Sequence, residues 1–240
     1  MVGKVLNRTV GLIRHRWQGL AGAAIAFGAL NELIGLLFQV FNQDALTEIQ
    51  SGEAIDPVTL ELGRVFGWFF FWSIIGMIVG LVITAVMLNM VADADRSGAP
   101  DVNVALSKSF SRFLALLGLV LLSTISIMAG FVLLVIPGIW IAVSLVPALA
   151  IFFLEDKGPV DSFKESVGLV RGSWWPVFGV ILSIGVFTFV LGFFRLVPGP
   201  VGFLLGVVVA AVTIVVQAAA VYFTFEELRG ASSIEDVRTT

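Results

Sequence analysis

The chain has 240 residues, of which 58% are hydrophobic and only 13% are charged, and its mean hydropathy is +1.04. This composition excludes a soluble globular enzyme and is typical of a protein that lies almost wholly in lipid. The net charge of −3 and the lack of a basic cluster argue against nucleic-acid binding, and the absence of cysteine excludes disulfides and thiolate metal sites.

Six apolar stretches, each about one bilayer thick, follow one another along the chain. A helix needs roughly 20 apolar residues to cross a hydrocarbon core of about 30 Å. Long unbroken runs favour helices over the alternating segments of a β-barrel. We therefore predict an all-α polytopic fold, a single integral membrane domain over residues 1–240, with transmembrane helices at 19–41, 66–90, 114–136, 139–154, 176–194 and 201–225.

A repeated unit precedes these helices. The run TVGLIR at 9–14, followed by Trp17, matches the run SVGLVR at 166–171, followed by Trp174, and 105–118 is a weaker third copy. Apolar residues at helical spacing in 2–16, 102–113 and 162–171 predict three cytoplasmic amphipathic helices in the headgroup plane, each preceding one of three helical hairpins. Capping-box spacing of Ser162 and Glu165 predicts that the last of them starts at Ser162.

These amphipathic segments carry the candidate contacts with anionic lipid headgroups. Basic side chains at the membrane surface are attracted to lipid phosphates. An alternative is that the segments only orient the hairpins. The candidate residues are Arg14, Lys108, Arg112, Lys164 and Arg171.

Glu32 lies well inside the first span, where an ionised carboxylate costs at least roughly 2.5 kcal/mol. It must be protonated, paired or directed into a polar cavity. The functional hypothesis is a proton or cation site; the alternative is a protonated or hydrogen-bonded glutamate that helps helices to select partners. At a similar depth, each other span offers one small hydroxyl as a neighbour: Ser73, Ser126, Ser144, Thr188 and Thr213.

The continuous apolar run 114–154 is too long for one helix across a bilayer, because its length would be about 60 Å. Pro137-Gly138 divides it, since proline cannot continue a helix interior and glycine permits a sharp reversal. A tight helical hairpin is expected there.

The distribution of basic residues predicts the orientation of the chain. With both termini in the cytoplasm, twelve Lys and Arg residues lie inside and only Arg64 and Arg195 lie outside, as the positive-inside rule requires. Arg195 is then expected to reach the outer headgroups. The tryptophans agree with this placement, with Trp174 at the inner interface and Trp140 near the outer one.

The sequence contains none of the motifs HExxH, GxSxG or a phosphate-binding glycine loop, and its single histidine, His15, has no second ligand nearby. We therefore predict a protein that is not an enzyme and that holds no cofactor or metal.

An ordered set of residues that begins at the turn of the second predicted hairpin resembles a known family pattern. Pro137-Gly138-Ile139-Trp140 is followed by Pro147, Glu155, Ser162, Ser166, Arg171-Gly172 and Trp174-Trp175. Over about 114–194 this pattern resembles the bacterial YciC-like integral membrane proteins and is similar to the membrane domain of some glycerophosphoryl diester phosphodiesterases. The resemblance implies a six-helix inner-membrane protein and brings no catalytic residues, because those phosphodiesterases carry their active site in a separate soluble barrel.

These observations favour a non-enzymatic scaffold or accessory protein of the bacterial cytoplasmic (inner) membrane that interacts with membrane lipids or envelope partners. The alternative is a small transporter or channel with a site at Glu32. A third hypothesis, an enzyme acting on lipid headgroups, needs an interfacial polar cluster that the sequence does not show. The identity of a protein partner and the oligomeric state stay open, since GxxxG pairs serve packing within one chain as well as dimerisation.

Overall fold

The computed structural model describes residues 1–41 and 61–239, and it describes their side chains except at 38–39, 41, 61–70, 72–73 and 234–239. In these residues the regular structure is helical, and the expected all-α polytopic fold is confirmed. The helices are α1 Val2–Phe41, α2 Glu61–Arg96, α3 Val102–Ser111, α4 Phe113–Leu133, α5 Val135–Ser144, α6 Ala148–Leu154, α7 Pro159–Val170, α8 Trp174–Gly192, a 3-10 turn at Phe193–Leu196, and α9 Gly199–Thr239.

Six segments of the described chain are long and apolar enough to cross a membrane. Their outward side chains are apolar and exposed, as at Leu114 (82%), Val132 (85%) and Ile136 (79%). Water would not tolerate so large an exposed apolar surface, whereas lipid solvates it. The six segments are Val2–Leu37, Ile74–Arg96, Phe113–Leu133, Val135–Leu154, Trp174–Leu196 and Gly199–Ser233.

The first and last helices pack antiparallel, with α2 beside both. Near one end Gly28 of α1 approaches α9 so closely that a Cβ there would lie 2.6 Å from the carbonyl oxygen of Val207. Near the other end Arg8 of α1 lies 3.4 Å from Asp95 of α2 and 3.9 Å from Glu227 of α9. The main hydrophobic core lies where these helices meet α6 and includes Leu20, Met87, Phe152 and Phe223.

The expected hairpin is present, but its reversal differs from the prediction. The chain turns at Leu134, whose backbone is extended, while Pro137 and Gly138 lie inside the first turns of α5. Gly138 is used for close packing, because a Cβ there would lie 2.6 Å from the ring of Phe131. The helices α4 and α5 therefore approach through small residues, a common device in membrane helix pairs.

The fourth span is two helices rather than the single one predicted at 139–154. Pro147 interrupts it between α5 and α6, since proline has no amide hydrogen to donate. The amide of Ala148, which would donate to Ser144 in an unbroken helix, donates instead to Leu145 at 3.0 Å. The freed carbonyl of Ser144 accepts the hydroxyl of Ser166, from α7, at 2.7 Å.

Two of the three amphipathic segments also differ from expectation. Residues 2–16 form no separate helix, because α1 continues from Val2 into the first span, and Val5, Thr9 and Leu12 are buried against other helices rather than facing lipid. The helix expected to start at Ser162 starts at Pro159, a favoured first residue, and Ser162 is fully buried within it.

Trp140 and Trp174 were expected at opposite membrane interfaces, and the structure contradicts this. The indole Nε1 of Trp174 donates to the carbonyl oxygen of Trp140 at 3.2 Å. The two residues therefore lie at the same level of the bundle.

Candidate functional site

Glu32, the intramembrane acid, forms an ion pair with Arg195. Glu32 lies on α1 and its side chain is 17% exposed, while Arg195 lies on the 3-10 turn after α8 and is 44% exposed. The carboxylate also packs on α9, where a Cβ at Gly206 would lie 2.8 Å from its Oε2. The pair thus joins three separate elements, and it engages the arginine that was expected to reach the outer headgroups.

The hydroxyls proposed around Glu32 hydrogen-bond elsewhere. Those of Ser126, Ser144 and Thr188 donate to carbonyl oxygens one turn earlier in their own helices, at 2.8, 2.8 and 3.0 Å. Thr213 is partly buried on α9, and the side chain of Ser73 lies outside the described residues. Among the side chains that the structure describes, none of these hydroxyls shares a hydrogen bond with Glu32.

The basic residues whose side chains the structure describes fall into two groups. The engaged group holds ion pairs or carbonyl hydrogen bonds: Lys4, Arg8, Arg16, Arg96, Arg112, Lys157, Arg195 and Arg229. The free group is exposed and, within the described part of the chain, has no ion pair or side-chain hydrogen bond: Arg14, Lys108, Lys164 and Arg171. Four of the five candidate headgroup contacts are thus free cations.

Arg112, the fifth candidate, is committed inside the protein. Its guanidinium donates to the carbonyl oxygens of Phe152 and Lys157, each at 2.6 Å, and lies 2.8 Å from Asp156. It also lies 4.1 Å from the centre of the Phe152 ring. These contacts satisfy carbonyls at the C-terminal end of α6, which favours a cation. Arg112 is therefore a structural residue rather than a free contact for lipid headgroups.

A network of two acids and two bases joins α7 and the connection before it to the C-terminal part of α9. Arg229 donates to both oxygens of Glu155, from Nε at 2.6 Å and from Nη2 at 2.5 Å, and it also pairs with Glu165. Lys157 lies 2.7 Å from Glu155 and pairs with Glu165. Each of these four side chains contacts two side chains of opposite charge. We refer to Glu155, Lys157, Glu165 and Arg229 as the charge network.

The charge network shifts the titration of its members in α7 and in the connection before it. The hydrogen bond to Glu155, followed by that to Glu165, raises the pKa of Lys157 above its usual 10.5. Burial alone would raise the pKa of Glu165, but the hydrogen bonds from Lys157 and Arg229 outweigh it and bring that pKa below 4.5. Both residues are therefore charged at neutral pH.

This network is not predictable from the sequence pattern, because its members come from the connection before α7, from α7 itself and from α9, and α9 lies far along the chain from the other two. The segment 155–171 holds four acids and three bases, a mixture of signs that is compatible with ion pairs but does not show which residues meet. Within 1–41 and 61–239 no cluster of three or more His, Asp or Glu side chains is suited to hold a metal ion.

The fold defines the chain as a polytopic α-helical membrane protein. It belongs to the family described as a domain of unknown function (DUF7847), which matches residues 59–228. No curated protein sequence and no solved structure matches the chain. The matched stretch includes Glu155, Lys157 and Glu165, whereas α1 with Glu32 precedes it.

Proposed function

We propose that the protein is a non-enzymatic scaffold or accessory protein of the bacterial inner membrane, with both termini cytoplasmic, that binds anionic lipid headgroups. The observation that carries the proposal is the division of the basic residues. Basic residues such as Arg8 and Arg229 form ion pairs with acids of the protein. The free cations Arg14, Lys108, Lys164 and Arg171 are exposed and can contact lipid phosphates.

The position of the free cations supports the proposal. Arg171 directly follows α7 and stands three residues before Trp174, and the neighbouring Trp175 is 74% exposed. Exposed tryptophan beside arginine is typical of a membrane interface, where the ring enters the headgroup layer and the cation meets phosphate. Lys108 and Lys164 lie on the exposed faces of the short helices α3 and α7.

Enrichment of phosphatidylglycerol around the protein tests the proposal. The full chain is placed in nanodiscs of mixed phosphatidylcholine and phosphatidylglycerol. The protein is then released from the nanodiscs, and the lipids that remain bound to it are counted by mass spectrometry. Replacing all four free cations by glutamine should reduce the phosphatidylglycerol share to that of the bulk mixture, since each surface cation contributes about 1 kcal/mol.

A charge-conserving variant is the matched control. Arg14→Lys, Lys108→Arg, Lys164→Arg and Arg171→Lys together should retain the enrichment, and raising the salt should weaken it because the screening length shortens from about 10 Å at 0.1 M to about 3 Å at 1 M. Unchanged enrichment in the glutamine variant would refute the headgroup contacts.

The alternative function, a small transporter or channel, rests on Glu32. Its pairing with Arg195 supplies a structural reason for an acid inside the span, so we place this function second. Proton or cation flux into liposomes, compared between the native chain and Glu32→Gln, tests it directly.

A further inference from the structure

A cavity of about 310 Å³ lies among α2, α8 and α9, within the membrane segments and apart from Glu32 and the free cations. Its wall includes Gly185 of α8 and Gln217 of α9, both of which are exposed. Since these two residues lie inside spans, the cavity opens toward lipid rather than toward water. Its size is at the lower end of the range for small-molecule sites.

Three threonines of the described chain line this cavity, and one of them differs from the others. Thr84 and Thr188 donate their hydroxyls to the carbonyl oxygens of Gly80 and Ile184, at 2.8 and 3.0 Å, as helix threonines commonly do. Thr224 is fully buried, and among the described residues its Oγ1 has no hydrogen-bond partner. A buried hydroxyl without a partner is costly, and a ligand that forms a hydrogen bond with it would offset that cost.

Gln217 supplies a second free polar group on the same wall. It precedes Thr224 by seven residues, so both lie on one face of α9, about 10 Å apart along the helix axis. The amide can donate and accept hydrogen bonds, and among the described residues it has no partner. The described wall therefore offers two unpaired polar groups, and the hydroxyls of its other two threonines are already hydrogen-bonded within their own helices.

The chemistry of the wall selects the ligand. The described lining contains no ionisable side chain, so a charged headgroup would remain uncompensated in a low dielectric. It also contains no aromatic ring, which favours a flexible acyl chain over a planar ring system. We propose that this cavity binds an uncharged diacylglycerol-type lipid, whose hydroxyl and ester carbonyls hydrogen-bond with Thr224 and Gln217.

The test uses the full chain in phosphatidylcholine nanodiscs with a photoactivatable diacylglycerol as the probe. Crosslinks are mapped by mass spectrometry and should fall on α8 and α9 around Gly185 and Gln217. Thr224→Val and Gln217→Leu should each reduce this labelling roughly two- to ten-fold, which corresponds to one hydrogen bond. Gly185→Leu, which fills the cavity, should abolish it.

Two controls separate loss of the site from loss of the fold. Gly192→Leu changes the same helix at a glycine that does not line the cavity and has open space around it, so labelling should persist. Thr224→Val removes an unpartnered hydroxyl, so in detergent without the probe its unfolding temperature should be equal to or above that of the native chain.

Two results would overturn the proposal. One is labelling that is unchanged by all three cavity substitutions. The other is a photoactivatable phosphatidylglycerol that labels the same residues equally well and responds to the same substitutions, because the site would then not select an uncharged headgroup.

Discussion

Glu32 and Arg195 show how two residues that are unfavourable in lipid acquire a stable position together. On insertion scales either charge costs roughly 2.5–3.5 kcal/mol at the centre of a membrane helix. The ion pair between them offsets part of this cost and fixes α1 against the turn that precedes α9. The acid was recognisable in the sequence from its depth, but its partner was not.

Substitution of either partner should therefore destabilise the protein. Because the pair is only partly buried, we expect Glu32→Gln and Arg195→Gln each to lower the free energy of unfolding by about 1–3 kcal/mol, less than for a fully buried pair. The double variant should lose less than the sum of the two. Unfolding in detergent of all four proteins measures this coupling, and strictly additive losses would contradict a direct interaction.

Prediction of the pair failed for a physical reason. Arg195 stands at a span end beside Pro198-Gly199-Pro200, where a long basic side chain ordinarily reaches the headgroups. Which residue it meets depends on how α1 is rotated about its axis, and hydropathy carries no information on that rotation. The serine and threonine neighbours predicted for Glu32 were inferred from depth alone, and depth likewise carries no information on the rotation of a helix.

At the scale of single elements, the apolar stretches were predictable because crossing a bilayer demands a fixed length of apolar helix. The helix ends were harder. Nothing between Arg16 and Gly19 breaks a helix, so the basic segment and first span of α1 are continuous. Pro159 was the usable signal for the start of α7, and the capping-box spacing of Ser162 and Glu165 obscured it. Glu165 instead serves the charge network.

The charge network should give α7 a stability that depends on pH. The lowered pKa of Glu165 means that its contribution is complete above pH 4.5 and is lost as the pH falls through the folded value. The difference in unfolding temperature between the native chain and Glu165→Gln should therefore be constant near neutrality and shrink below pH 4.5.

At alkaline pH the stability of α7 depends on Lys157, and there the stability falls as the pH rises. The raised pKa of Lys157 makes its contribution complete below pH 10.5 and lost as the pH rises through the folded value. The difference in unfolding temperature between the native chain and Lys157→Gln should therefore shrink only above pH 10.5.

For Glu165→Gln, a difference in unfolding temperature from the native chain that is equal at pH 3 and pH 7 would show that the charge of Glu165 does not stabilise α7.

At the scale of the whole molecule, the antiparallel packing of α1 on α9 closes the bundle. It depends on Gly28, which lies against the backbone of α9 and cannot carry a larger side chain without separating the helices. The family match begins at residue 59, so this closing helix lies outside the matched stretch.

Gly28→Val should consequently lower the free energy of unfolding by about 1–3 kcal/mol, as overpacking of a tight contact does. Gly22→Val on the same helix, where a Cβ meets nothing within 4 Å, is the matched control and should change it by less than about 0.5 kcal/mol. Chemical unfolding in detergent compares the two. Similar losses in both variants would indicate that helix propensity, rather than the approach of α9, determines the effect.

The ion pair between the first helix and the turn before the last one also sets an order of events during synthesis. Arg195 leaves the ribosome about 160 residues after Glu32, which at about 5–20 residues per second is a delay of roughly 8–33 s. Throughout that interval the nascent acid must remain protonated or be shielded by the insertion machinery. In a truncated chain that stops before Arg195, Glu32 would remain in the bilayer without its partner, and we expect membrane proteases to degrade such a chain.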